Sequence, residues 1–68
     1  MKKNINVILA RRKADLTQKE LSKKVGISNV TIVKVEKGNI DSIKFGTLKK
    51  LAEALNSSIE ELFLSDEE

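Results

Sequence analysis

The sequence has no cysteine, histidine, proline, tryptophan or tyrosine, and only three glycines and two phenylalanines in 68 residues. Without Cys and His there are no disulfide staples, none of the commonest zinc ligands, no thiol nucleophile and no ordinary proton shuttle. Neither a metal nor a cofactor is therefore expected. A chain of this length stands near the size at which one apolar core barely suffices, and little of it is left to wall a substrate pocket. An enzyme is not expected. No apolar stretch approaches the ~18 residues of a membrane span. The opening "MKKNINVILARRK" has bases on both sides of a short apolar patch and no small-residue cleavage site. The expectation is a soluble, cytoplasmic protein with no membrane partner.

Charge is more informative in its distribution than in its sum of +3. Residues 1–52 carry all 13 Lys and Arg against four acids, whereas residues 53–68 carry six acids and no base. The first part has a balance of +9 and the second −6. A basic surface that size is either solvated or meets a polyanion.

With no proline, repeat or low-complexity linker, residues 1–68 are taken as one domain ending in an acidic tail, residues 65–68. Ile5, Ile8 and Leu9 keep helical spacing and predict an amphipathic helix over about residues 4–14, closed by Asp15, with Arg11 and Arg12 near its C-terminal end. "TQKE" is a capping box, Thr17 with Glu20, that opens a second helix over about Gln18 to Lys24 burying Leu21 and Val25. Gly26 ends it, because glycine takes the left-handed conformation without steric cost. Leu48, Leu51, Ala52 and Leu55 mark a helix over about Phe45 to Leu55, with Asn56 at its left-handed end. "SIEE" is a second capping box, Ser58 with Glu61, before a short last helix that buries Ile59 and Leu62.

Between these lies "GISNVTIVKVEKGN", with Val30, Ile32, Val33 and Val35 all β-branched, a composition that favours a strand. As a strand, however, each face changes from apolar to charged midway. As a helix capped by Ser28, Ile32 and Val35 fall together with Thr31 on one side, while Val30, Val33, Lys34 and Lys37 fall opposite, with Asn29 at the edge. β-branching costs a few tenths of a kcal/mol per helical residue, and burying Ile32 and Val35 at ~1.5–3 kcal/mol each outweighs it. The fold class predicted is all-α, with five short helices.

"LTQKELSKKVGISNVTIVKVEKGN" resembles the helix-turn-helix of the Cro/CI-type repressors, the XRE family. "IKFGTLKKLAEALNSSIEELF" resembles the two helices that complete that family's five-helix, lambda-repressor-like domain, here as a small stand-alone regulator. The match spans about residues 5–63 and rests on Thr17-Gln18, Leu21, the small Ser22, Gly26, Ile32, Val35, and Glu36 followed by Lys37-Gly38. Two positions depart from it. Asp15 stands where the family usually has Gly, and the loop "NIDSI" carries Asp41 in place of basic residues and Pro.

The resemblance implies a transcriptional regulator that binds double-stranded DNA, a repressor acting as a homodimer on a palindromic operator. With the third helix in the major groove, Asn29 is placed to pair with adenine, Val30 and Val33 to meet thymine methyl groups, and Lys34 to reach a guanine or a phosphate. Each is otherwise an exposed surface residue. Gln18 resembles the family's phosphate-contacting Gln; Ser28, Lys37, Asn39 and Lys44 are further backbone candidates, Ser28 equally a cap. Arg11 and Glu36 occupy the places of a family ion pair. Phe63 and Leu64 are candidates for the dimer interface, or else a core residue and a frayed end. A reading of another class is a protein-interaction module, such as an antitoxin or regulatory subunit, with a protein partner and with DNA binding secondary.

Overall fold

The computed structural model describes residues 3–64, so the acidic tail 65–68 lies outside the described residues. Every element in that range is helical: α1 (Ile5–Lys13), α2 (Gln18–Val25), α3 (Asn29–Glu36), α4 (Phe45–Ala54) and α5 (Glu60–Leu64), the last wound as a single π-helical turn. The run of β-branched residues is thus a helix. Tertiary burial outweighs local preference there, since Ile32 is fully buried and Val35 nearly so.

Most boundaries follow side-chain chemistry. Asn4 caps α1 by accepting from the Val7 amide at 3.2 Å. Thr17 and Glu20 close the capping box of α2 at 3.0 and 2.9 Å, and Ser58 and Glu61 close the second box at 3.0 Å each way. Among the described residues, four turn the chain through positive φ: Asp15 at 62°, Gly26 at 83°, Gly38 at 90° and Asn56 at 57°. Asp15 therefore holds the left-handed conformation that the family's glycine would accept more readily.

The core is one cluster of Val7, Leu21, Ile32, Val35, Leu48, Leu51, Ala52, Leu55 and Leu62, with all five helices contributing or flanking. Ser22 is buried in α2, which packs against both α3 and α4. A larger side chain there would overpack the interior.

The face that α1 buries differs from the expectation. Ile5 and Leu9 are 53% and 57% exposed, and Val7 takes the core position, with Ala10 packed partly against the same cluster. Polar contacts set this rotation. The Asn4 amide donates to the Glu36 carbonyl at 2.9 Å, and Arg11, four residues beyond Val7, reaches the Glu36 side chain. Those anchors hold α1 with Val7 and Arg11 inward, so the Ile5–Leu9 side faces outward.

Candidate nucleic-acid interface

The turn between α2 and α3 is built by main-chain bonds. Gly26 and Ile27 both donate to the Ser22 carbonyl, at 2.8 and 3.0 Å, and the left-handed Gly26 redirects the chain. Ser28 then caps α3 by accepting from the Thr31 amide at 3.2 Å, while the Ser28 and Thr31 hydroxyls share a hydrogen bond at 3.0 Å. Three residues of α3 are buried, namely Ile32, Val35 and Glu36. They fix its rotation, so the side chains of Asn29, Val30 and Lys34 are exposed and Val33 is half-buried at the edge. Val30, 64% exposed, is an apolar residue held in water at the N-terminal end of this helix.

Behind the exposed face lies a buried polar network centred on Glu36. Its Oε2 accepts from Arg11 Nε at 2.6 Å, and its Oε1 accepts from Gln18 Nε2 at 3.0 Å and Arg11 Nη2 at 3.4 Å. Arg11 Nη1 also donates to the Leu16 carbonyl at 2.8 Å. Glu36 and Arg11 together thus join α1, the turn before α2, the first residue of α2 and the last of α3. Among the described residues no buried side-chain nitrogen or oxygen lacks a partner. Burying a charge costs little net only under that condition.

The network places Gln18 differently from a plain surface residue. Its amide nitrogen is turned inward to Glu36. What α2 presents outward is the main-chain amide end of the helix, where the N–H groups of Gln18 and Lys19 have no acceptor within the helix. The sequence offered no signal for this inward contact, because Gln18 and Glu36 are 18 residues apart.

The remaining backbone candidates lie between the C-terminal end of α3 and the start of α4. Lys37 is the C-cap of α3, Asn39 is exposed in the loop that follows, and Lys44 is the N-cap of α4 without a side-chain cap bond. Asp41 shares that loop and is exposed. Phe63 packs partly against the core, whereas Leu64 is 66% exposed. Among the described residues there is no cluster of acidic or metal-binding side chains able to hold a metal ion, and no helix is long and apolar enough to cross a membrane.

Two helices joined by a tight glycine turn, the second clamped so that its polar edge faces out, define the helix-turn-helix class of DNA-binding domains. The Helix-turn-helix family matches residues 7–62, and the chain belongs to that family in its Cro/CI-type form. Two proteins of Archaeoglobus fulgidus described as "Uncharacterized HTH-type transcriptional regulator" are each 44% identical to it over 59 residues. The alignments cover 85% of this chain and 80% or 81% of theirs. A protein of the same description from Methanocaldococcus jannaschii is 38% identical over 55 residues, covering 79% of this chain and 80% of its own. Like them, the chain is a helix-turn-helix transcriptional regulator. No solved structure matches it.

Proposed function

We propose that the protein is a sequence-specific regulator of transcription that binds double-stranded DNA, a repressor acting as a homodimer on a palindromic operator in the cytoplasm. The observation that carries this reading is the clamped rotation of α3: Ile32, Val35 and Glu36 are held inside, and Asn29, Val30 and Lys34 are held out. A helix presented in this way fits the B-DNA major groove, which is about 12 Å wide. Asn29 then pairs with N6 and N7 of an adenine, Val30 and Val33 pack on thymine methyl groups, and Lys34 reaches a guanine or a phosphate.

The duplex backbone is held by the amide end of α2 around Gln18, by the Ser28 region, and by Lys37, Asn39 and Lys44. One chain carries one recognition helix, so two-fold pairing sets two of them about 34 Å apart, one turn of the duplex. Selection of bound duplexes from a random pool tests the reading. The expected product is a two-fold symmetric motif with A·T pairs in each half-site. A pool that shows no enrichment, with no measurable duplex affinity even at low salt, removes it.

A further inference from the structure

Besides the core-facing side of α1, the molecule keeps an apolar strip in water. Ile5 and Leu9, four residues apart on one face of α1, are both more than half exposed, and so is Leu64 at the end of α5. The two helices that carry them pack against each other. Asn6 Nδ2 donates to the Glu61 carbonyl at 2.9 Å, which fixes where α1 and α5 meet. Leu9 stands three residues past Asn6 and Leu64 three past Glu61, each less than one helical turn from that contact.

The strip has opposite charges beside it. Arg12 and Lys13 are exposed in the last turn of α1, and Glu60 is exposed at the first residue of α5. None of these three has a side-chain partner among the described residues. An apolar centre with a basic flank on one helix and an acidic flank on the other is complementary to its own copy turned through half a revolution.

We infer that Ile5, Leu9 and Leu64 form the centre of an interface with a second copy of this chain. The copies pair about a two-fold axis that brings Arg12 and Lys13 against the partner's Glu60. The inference rests on the homodimeric reading above for its symmetry, and it gives that dimer an interface centred on α1 as well as on the chain's last helix. Phe63, packed partly on the core, has at most a marginal part in it. The strip lies on the side of α1 turned away from the Glu36 contact, so pairing leaves α3 uncovered.

Sedimentation equilibrium of the full chain without DNA, with circular dichroism as a check on folding, tests the interface. The wild type is expected to pass from monomer to dimer with concentration. Leu9→Glu and, separately, Leu64→Ser are expected to raise the dissociation constant at least tenfold with unchanged helicity. Arg12→Glu and Glu60→Lys should each weaken pairing, and the two together should restore it to within about threefold of wild type. A wild type that stays monomeric up to millimolar concentration overturns the inference, as does a folded Leu9→Glu chain that dimerises normally. Duplex binding is measured separately. Binding by a monomer would sink the interface and leave the DNA reading standing, whereas a dimer with no duplex affinity would do the reverse.

Discussion

Arg11 donates through Nε to the carboxylate of Glu36 at 2.6 Å, with the two side chains 12% and 7% exposed and 25 positions apart in the chain. Because both groups are nearly out of water, removing one leaves the other as an unpaired buried charge. Arg11→Met should therefore cost about 3–5 kcal/mol of folding stability, a large fraction of what so small a domain has. Adding Glu36→Leu should recover part of that loss, since the stranded carboxylate goes too. Urea denaturation followed by circular dichroism measures both, and a double variant worse than the single one would show that the charge is not what matters.

Asn29 and Lys37 should fail in different ways. Asn29→Ala is expected to relax preference at one base pair by ~1–3 kcal/mol, while leaving affinity for unrelated duplexes nearly unchanged. Lys37→Ala should weaken binding to all sequences alike and lower the slope of log affinity against log salt by about 1. The check is fluorescence anisotropy on matched and mismatched duplexes at several salt concentrations. Uniform losses for Asn29→Ala would move it from reading bases to holding the backbone.

Val30 is exposed and apolar, so its proposed partner is a methyl group and not a hydrogen-bonding edge. Replacing each half-site thymine in turn by deoxyuridine removes only that methyl. At one such position affinity should fall about fourfold, the equivalent of ~0.8 kcal/mol for one buried carbon. In a Val30→Ser variant the same replacement should make no difference. If the variant is as sensitive as the wild type, another residue is the methyl reader.

Asp15 holds φ at 62° in the turn before α2. Asp15→Gly relieves that conformation and should stabilise the fold by roughly 0.5–1 kcal/mol, net of the greater freedom of glycine in the unfolded chain. For a domain of this size that corresponds to a rise of about 3–6 °C in Tm. Scanning calorimetry reads it directly, and a lower Tm would mean that the Asp15 side chain has a stabilising role of its own.

How far the molecule could be read in advance depends on the range of the interactions. Thr17 with Glu20, Ser58 with Glu61, Gly26 and Asn56 act within a few residues, so capping boxes and left-handed turns were legible in the letters. The helical identity of α3 was legible only because its strand pattern broke midway between apolar and charged residues. The face of α1 was not legible. Ile5, Ile8 and Leu9 make a convincing stripe, but Val7 is buried because Arg11 and Asn4 both bind Glu36, a contact that spacing within the helix does not encode. The inward turn of Gln18 was hidden for the same reason.

On the proposed function, the outward edge of α3 reads duplex DNA. The most direct measurement is the affinity of the wild-type chain for the duplex enriched from a random pool, set against a shuffled duplex across a salt series. At least a thousandfold preference for the enriched duplex is expected near physiological salt. Affinity for both duplexes should fall linearly on a log–log plot, by about 0.9 per phosphate contact. Equal affinity for the two duplexes, or affinity indifferent to salt, would contradict that reading.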